Sequence, residues 1–362
     1  MRFRKNILSL SLCLLLCSVS ACSPSGNEVP ESQTESHELP VGSGIQTAAK
    51  VKVALHSKPS TVSGQIIGII PAGAAVEIVS EENSWTQVIY GDKSGYVYSS
   101  FLSASAYQPE LITIGSIHTI TNAELDRIAS SYDATPQGFG ANGGGADDKN
   151  RNQNALNLEK NLAEFKPLIF GDKDSNKIYL SFSCGWENAP NTSTILDTLA
   201  DAGVKAVFYI NHEYASRNSD LVRRMINEGH EIGNHGYSHP DNGMPSLSIT
   251  EQMNDAIRMQ SYMYDNFGYT MKKYNFSSSA WSHQSVALMT SMGYRVCFYS
   301  FNYADYDTNN PLPPSDVLTK LTDALAPGCI YYLHPVSTGN TGALADFIET
   351  ARNRGYEFGI LY

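Results

Sequence analysis

The stretch IYLSFSCGWENAPNTSTILDTLADAGVKAVFYI, residues 178–210, predicts the type of fold. Two mainly apolar runs, residues 178–183 and 206–210, flank a segment with apolar residues at helical spacing that ends at Gly203. Such continuous apolar strands are typical of a parallel sheet that is buried on both faces. The stretch is therefore interpreted as one strand–helix–strand unit of an α/β domain.

The same alternation continues to the end of the chain. Helical patterns recur at SDLVRRMINEG, after Ser248, at SDVLTKLTDALA and at ALADFIETARNRG, and strand patterns at RVCFYSF, CIYYLH and EFGILY. The segment from Ser248 to Glu251 has the form of a capping box, which predicts a helix start. Repeated strand–helix units indicate a parallel sheet covered by helices, and their number favours a barrel over an open sheet.

A different pattern occupies residues 50–103, where short β-rich runs are separated by turns at Pro71–Gly73, at Glu82-Asn83 and at Gly91-Asp92. This pattern predicts a small all-β barrel. The motifs SKPS, PAG, WxxV and SGYVYSSFL, in this order, resemble a bacterial SH3-like domain. That resemblance implies binding to cell-wall peptides or glycans, and a passive spacer is the alternative interpretation.

The first 21 residues have the form of an export signal. Arg2, Arg4 and Lys5 precede an apolar run at residues 7–16 that is too short to span a bilayer. The signal ends in VSAC, residues 19–22, which resembles the lipobox of bacterial lipoproteins. The resemblance implies a lipid on Cys22 and an exported protein anchored to the outer face of the cell membrane. The alternative is ordinary cleavage with an incidental Cys22.

Two further segments lack a packing pattern. Residues 22–49 are rich in Ser, Pro, Glu and Gly, which predicts a disordered tether. Residues 104–165 contain the run GFGANGGGADDKNRNQN, which predicts a flexible connecting segment. The predicted order is a signal peptide (1–21), the tether (22–49), the SH3-like domain (50–103), the connecting segment (104–165) and the α/β domain (166–362).

The charge and the cysteines exclude other classes of protein. The formal net charge is −11, and removal of the three basic signal residues would take it to about −14. Such a charge argues against nucleic acid or an anionic membrane surface as the main partner. Beyond residue 22 the chain has Cys184, Cys297 and Cys329, too few for a disulfide scaffold.

Candidate metal ligands occur around His235 and His239, which are four residues apart. One helical turn would direct both imidazoles at one metal ion, whereas Gly236 excludes the HExxH protease motif. Cys184, at the end of the first strand, would complete a Cys-His-His set that zinc accepts with an open fourth position. The alternative for Cys184 is a small buried apolar residue, and Cys297 and Cys329 are expected in the core.

Four segments of residues 177–362 resemble the polysaccharide deacetylase family (NodB homology domain). They are KIYLSF…GWEN, ILDTLADAGVKAVFYI, LVRRMINEGHEIGNHGYSHPD and IYYLHPVS…ALADFI. The resemblance is strongest to the branch that acts on muramic acid residues of peptidoglycan. It implies a distorted, incomplete (β/α) barrel and metal-assisted hydrolysis of an N-acetyl group. It also implies metal ligation by His235 and His239, a general acid at His334 and a carboxylate at Asp305 that orients this acid.

The chain departs from the family pattern in one half of the site. The catalytic base matches Ser183, its metal-binding neighbour matches Cys184, and the arginine that serves the base matches Phe276 in FSSSA. A hydroxyl is far too weak a base to replace a carboxylate, and losing a positioned general base costs on the order of 10²–10⁴ in rate. These losses favour a degenerate member that binds peptidoglycan glycan with little or no hydrolysis.

The alternative left open is an active hydrolase. It would be a metal-dependent de-N-acetylase of peptidoglycan, with a divalent metal, preferably zinc, held by Cys184, His235 and His239. For either function, aromatic rings near the motifs are candidate glycan contacts, although packing is their commoner role. These rings are Trp186, Trp281, Tyr303 and Tyr306.

The lipobox makes a testable prediction. Cys22→Ser should move the exported protein from the membrane fraction to the soluble fraction, because the acyl chains that hold it at the bilayer would be missing. Cell fractionation followed by immunoblotting measures this shift, and an unchanged distribution would contradict lipidation of Cys22.

Overall fold

The computed structural model describes residue 40 and residues 46–71, 74–103 and 112–361 of the chain. The predicted signal, Cys22 and most of the predicted tether lie outside the described residues. The chain divides into two compact units, with the boundary between Ala106 and Tyr107. No helix in the described ranges is long and apolar enough to cross a bilayer.

The described part of the first unit is all-β apart from one short 3-10 helix, Ser99–Phe101. Its strands are β1 (Gln46–Ala48), β2 (Val53–His56), β3 (Ile66–Ile70), β4 (Ala75–Glu82), β5 (Trp85–Tyr90) and β6 (Lys93–Tyr98). They pair antiparallel in the order β1-β4-β5-β6-β2-β3 around a core that includes Leu55, Val88 and Val97. The predicted all-β unit is confirmed, and β1 extends it into the segment predicted as tether.

The second unit alternates helices and strands. Its elements are β7 (Thr113–Ile114), β8 (Ile117–His118), α1 (Asn122–Ser131), β9 (Gln137–Gly138), α2 (Gln153–Asn161), β10 (Lys177–Cys184), α3 (Asn191–Ala202), β11 (Val207–Ile210), α4 (His212–Arg217), α5 (Ser219–Asn227), β12 (Glu231–Asn234), α6 (Ile249–Phe267), β13 (Lys273–Tyr274), β14 (Ala280–Trp281), α7 (His283–Ser291), β15 (Arg295–Val296), α8 (Pro314–Asp323), β16 (Ile330–Leu333), α9 (Thr338–Asn353) and β17 (Glu357–Gly359). The predicted capping box is present at the start of α6, between Ser248 and Glu251.

The central sheet of this unit is parallel and curled. Its strand order is β15-β13-β12-β11-β10-β16, and β17 also pairs with β10. Beyond β15, Phe301 forms a parallel bridge with Tyr331 of β16, which brings the two ends of the sheet towards each other. The fold is thus a half-barrel covered by helices, which confirms the predicted distorted (β/α) barrel.

Strand β10 sends its side chains into two environments. Phe182 and Cys184 belong to the large hydrophobic core under the helices, whereas Tyr179 belongs to a cluster of strand residues inside the curled sheet. Because side chains alternate between the faces of a strand, Ser183 lies on the inner face with Tyr179. Ser183 and Cys184 are therefore neighbours in sequence on opposite faces of the sheet.

The prediction of a flexible connecting segment is wrong for the described residues 112–165. Helix α1 is capped by Thr121, and its Leu125 and Ile128 are buried in a cluster with Val286 and Leu288 of α7. These residues belong to the second unit and contribute to its core.

The Gly/Asn-rich run is also ordered, because side-chain amides satisfy backbone groups. Asn150 donates to the carbonyls of Asp323 and Leu325 at 2.8 and 3.1 Å. Asn152 donates to two carbonyls of the loop itself and caps α2. Composition suggested a loop without partners, whereas these contacts exist only in the folded chain.

The packing of α1 generates a prediction. Ile128→Ala should lower the free energy of unfolding by about 2–4 kcal/mol, because it leaves a cavity against α7. Urea denaturation measures this, with the half-exposed neighbour Arg127→Ala as the matched control, for which we expect a change within about 1 kcal/mol. Equal effects of the two substitutions would contradict the assignment of α1 to the core.

Candidate functional site

Three of the predicted site residues meet at the carboxyl edge of the parallel sheet. Ser183 lies at the end of β10, His235 directly follows β12 and His334 directly follows β16. Parallel strands all end at the same edge, so residues distant in sequence come together there. The Ser183 hydroxyl lies 3.3 Å from Nε2 of His235.

The hydrogen bond made by Nδ1 of His235 determines whether Nε2 donates or accepts. Its Nδ1 lies 2.9 Å from the backbone carbonyl of Asn275, which can only accept a hydrogen bond. Nδ1 therefore carries the proton, and the lone pair on Nε2 accepts a hydrogen bond from the Ser183 hydroxyl. Burial is the main cause, and the nearby His239 a smaller one, that lowers the pKa of His235 to about 3. The ring is therefore neutral at physiological pH.

The two candidate metal histidines are adjacent, but a turn rather than a helix joins them. Their ring centroids are 5.2 Å apart at an interplanar angle of 62°. The carboxylate of Asp255 holds the turn by accepting hydrogen bonds from the N–H groups of Tyr237 and Ser238 at 2.7 and 2.9 Å. Gly236 has a φ of +87°, and a Cβ there would lie 3.1 Å from the same carboxylate. Burial also lowers the pKa of His239.

The predicted Cys-His-His metal set does not form. The Cys184 thiol is fully buried in the hydrophobic core, and burial raises its pKa, which disfavours the thiolate that zinc requires. Among the described residues, no group of three or more His, Cys, Asp or Glu is placed to hold a metal ion. The prediction that Cys184 is a ligand is therefore wrong for this structure, and its alternative as a buried apolar residue holds.

The remaining donors do not fit the metal that the resemblance implies. Catalytic zinc sites use three protein ligands and an open position, whereas the part of the chain that the structure describes brings only His235 and His239 together as candidate ligands. In addition, the Ser183 hydroxyl occupies the free lone pair of His235. We therefore derive no reaction step through a metal ion.

The other half of the site is intact. Asp305 accepts a hydrogen bond from Nδ1 of His334 at 2.6 Å and from the backbone N–H of the same residue at 2.7 Å. Asn340 donates to Asp305 at 2.6 Å and in turn accepts from the Tyr303 hydroxyl at 2.5 Å. The Asp305 carboxylate is fully buried, while the His334 side chain is partly exposed. This network orients the imidazole so that its Nε2 is left for a ligand.

Neutral groups occupy the region around Ser183. The buried Tyr332 hydroxyl donates to the side-chain oxygen of Asn275 at 2.9 Å. Burial raises the pKa of Tyr332, so its hydroxyl is neutral. Phe276, which the sequence predicts at the position of the family's arginine, is buried among Tyr274 and other apolar residues.

The Glu187 carboxylate, near the end of β10, is engaged in hydrogen bonds with α3 and α4. It accepts hydrogen bonds from the N–H and the hydroxyl of Thr192 and from the Tyr214 hydroxyl, the last at 3.1 Å. These contacts hold Glu187 at the start of α3. A carboxylate with three donors is not free to take a proton from water at Ser183.

The four candidate glycan-contacting rings separate into two pairs. Trp281 and Tyr303 are only 2% and 8% exposed, so they pack in the core, and the prediction that they contact glycan is wrong for this structure. Trp186 and Tyr306 are 48% and 64% exposed. Tyr306 lies edge-on to His334 with ring centroids 6.0 Å apart, and Trp186 follows β10 by two residues. Both exposed rings therefore lie close in the chain or in space to residues of the site.

Sequence reasoning missed three residues that support the site: Asp255, Asn275 and Asn340. Asp255 offered a signal, because it is an acidic residue within the apolar stripe of α6. The two asparagines offered none, because an Asn after a strand or in the first turn of a helix is common. Their roles depend on partners that are distant in sequence.

The buried His235 predicts how stability changes with pH. Its pKa falls from about 6.5 in the unfolded chain to about 3 in the folded protein, so the unfolded chain binds an extra proton between these values. The resulting stabilisation is complete above pH 6.5 and decreases towards pH 3, by about 2–3 kcal/mol between pH 7 and 4.5. His235→Gln should flatten this dependence in urea denaturation at several pH values, and an unchanged slope would contradict a neutral buried imidazole.

Family models match both units of the chain. Residues 170–297 match the polysaccharide deacetylase model, and residues 52–103 match the bacterial SH3 domain. The match to the SH3 domain agrees with the all-β first unit, and the match to the deacetylase model covers most strands of the parallel sheet.

Individual relatives extend the match. An uncharacterised 30.6 kDa protein of Geobacillus stearothermophilus is 32% identical over 198 residues, which are 54% of this chain and 74% of that protein. The peptidoglycan-N-acetylmuramic acid deacetylase PdaA of Bacillus subtilis is 28% identical over 205 residues, 56% of this chain and 76% of PdaA.

Solved structures share the fold. The structure of Bacillus subtilis PdaA, a family 4 carbohydrate esterase, covers 63% of this chain and 96% of its own, with a TM-score of 0.59 and 24% identity. A pseudoenzyme of the same esterase family from Bacillus anthracis covers 54% of this chain and 67% of its own, with a TM-score of 0.50 and 21% identity. The chain therefore belongs to the polysaccharide deacetylase family, with a bacterial SH3 domain preceding its deacetylase domain.

Proposed function

We propose that this protein is an exported, lipid-anchored member of the polysaccharide deacetylase family that binds cell-wall glycan with little or no hydrolysis. The observation that carries the proposal is the hydrogen bond from Ser183 to His235, at the position where the family requires a carboxylate base. The lipid on Cys22 and the export are part of the proposal and rest on the form of the first 22 residues.

The chemistry around Ser183 supports the loss of hydrolysis. Attack of water on an amide requires a group that accepts its proton. The Ser183 hydroxyl donates its hydrogen to His235, and the nearby groups Asn275 and Tyr332 are an amide and a phenol. The imidazole of His235, with a pKa of about 3, is itself a very weak base. His334 is thus placed to act as a general acid towards the leaving amine, whereas none of the described groups around Ser183 can accept the proton of the attacking water.

Glycan binding is supported by the relatives and by the exposed rings. PdaA is named for its action on N-acetylmuramic acid of peptidoglycan, which favours wall glycan as the ligand of this chain. Trp186 and Tyr306 present exposed ring faces that suit sugar rings, and His334, beside Tyr306, offers Nε2 as a hydrogen-bonding group. The SH3 domain would add a second contact on the same polymer, and two weak contacts on one chain raise retention.

The pseudoenzyme from Bacillus anthracis is a precedent for this combination of fold and inactivity. It shares the fold of this chain, and a mutant of it is described as having restored enzymatic activity. Loss of activity is therefore compatible with retention of the fold in this family. By analogy, this chain would retain its fold for binding.

One observation favours the alternative of an active metal-dependent de-N-acetylase. Asp305 and His334 keep the hydrogen-bonded geometry of an oriented general acid, which binding alone does not require. The alternative needs a divalent metal, preferably zinc, and the described residues supply two adjacent histidines instead of three ligands. We therefore rank it second.

Acetate release separates the two functions. Purified protein with added zinc should release no more acetate from N-acetylated peptidoglycan than the His235→Ala variant does, because the base is missing. Release by the wild type that His235→Ala abolishes would overturn the proposal in favour of the enzyme.

Sedimentation with insoluble peptidoglycan tests the binding itself. Trp186→Ala and Tyr306→Ala should each weaken binding by roughly threefold to tenfold, the loss expected for one stacked ring. Tyr264→Ala is the matched control, because Tyr264 is also an exposed aromatic residue but lies on helix α6. Wild-type protein that stays in the supernatant would contradict glycan binding.

A further inference from the structure

Three planar side chains form a stack at the carboxyl edge of the sheet. The Arg258 guanidinium lies over the ring of Tyr237, 4.0 Å from its centroid. Tyr237 stacks on His212 with centroids 4.1 Å apart and an interplanar angle of 18°. Tyr262 meets His212 edge-on at 4.6 Å. Tyr262 thus supports the His212 end of the stack, and the exposed Arg258 forms the other end.

The stack is fixed relative to the candidate site. Tyr237 lies in the turn between His235 and His239, and His212 follows β11 at the same edge of the sheet. The backbone N–H of Tyr237 donates to Asp255, which lies one turn before Arg258 on helix α6. One helix therefore positions both the turn that carries the histidines and the arginine beside it.

Arg258 is exposed and has no acidic partner within the described residues. Other arginines of this unit do have partners: Arg224 pairs with Asp197 and Glu228, and Arg223, over Phe267, donates to the carbonyl of Asn266. The carboxylate closest in sequence, Asp255, is occupied by the N–H groups of the turn. Stacking engages the face of the guanidinium and leaves its N–H edge free, which is the edge that binds a carboxylate in a bidentate manner.

We propose that Arg258 forms an anion subsite that binds a carboxylate carried by the wall glycan held in the site. The inference rests on the proposed glycan binding and adds a preference for acidic over neutral glycan. A chain with a net charge of −11 repels an acidic polymer over much of its surface, so a fixed cation beside the site would orient the polymer there. The carboxylate has two possible sources, the lactyl group of a muramic acid residue and a free carboxyl group of an attached peptide.

Isothermal titration calorimetry with three ligands tests the subsite in the full-length protein. The ligands are neutral chitotetraose, a tetrasaccharide of alternating N-acetylglucosamine and N-acetylmuramic acid, and the same tetrasaccharide carrying its peptides. We expect the wild type to bind the acidic tetrasaccharide about threefold to tenfold more tightly than chitotetraose, the range of one partly exposed charged contact. Raising the salt concentration should reduce this preference.

Variants assign the preference to the arginine. Arg258→Gln should bring the ratio of the two dissociation constants close to one, and Arg258→Lys should retain only part of it, because an ammonium lacks the planar fork. Arg223→Gln, which removes an exposed arginine from another aromatic ring, is the matched control and should leave the ratio unchanged. A wild-type ratio near one for both acidic ligands, or an equal loss in the control, would overturn the subsite.

The three ligands also separate this inference from the proposed function. Tighter binding of the bare acidic tetrasaccharide would assign the lactyl carboxylate, and tighter binding only of the peptide-bearing form would assign the peptide. Equal binding of the neutral and both acidic ligands would overturn the anion subsite alone. Failure of all three ligands to bind would overturn the proposed glycan binding, and the subsite with it.

Discussion

Parallel pairing of β10 with its neighbours β11 and β16 is the constraint on which the site depends. It places the ends of strands from widely separated parts of the sequence at one edge, so that Ser183 and His235 come within hydrogen-bonding distance. The same strand also anchors the core, because Phe182 and its even-numbered neighbours are buried under the helices. A change that shifted the register of β10 by one residue would therefore exchange its core and site faces together.

The two halves of the site show two stable ways to satisfy buried polar groups. On one side, the Asp305 carboxylate receives donors from His334 and Asn340, so a buried negative charge is fully hydrogen-bonded. On the other side, the hydroxyls of Ser183 and Tyr332 donate to two neutral acceptors, His235 and Asn275. A neutral network avoids the desolvation cost of a buried ion pair, so the fold carries no unpaired charge at Ser183 or Phe276.

Different elements of the fold hold the site in place and present exposed residues around it. Helix α6 supplies Asp255 to hold the turn of the two histidines and Arg258 to cover Tyr237 within the same turn. The exposed rings of Trp186 and Tyr306 follow other strands. Of the groups that we propose to contact glycan, Trp186 and Tyr306 are carried by loops and Arg258 by helix α6. Substitution of the buried residues that hold the site in place would lower the stability of the fold. Substitution of the exposed residues Trp186, Tyr306 and Arg258 would instead change which ligand is bound.

The sequence by itself determined the alternation of strands and helices after residue 166, the all-β first unit and the positions of the histidine and aspartate motifs. These features depend on local periodicity, on capping residues such as Ser248, and on short motifs, all of which can be read along the chain. Tertiary structure alone decided that residues 112–165 are part of the core, that Trp281 and Tyr303 are buried, and that Cys184 faces away from His235. The physical reason is that burial and hydrogen bonding are properties of pairs of segments. Asn150, Asn275 and Asn340 acquire their roles only when partners from distant parts of the chain arrive, and no local pattern encodes those partners.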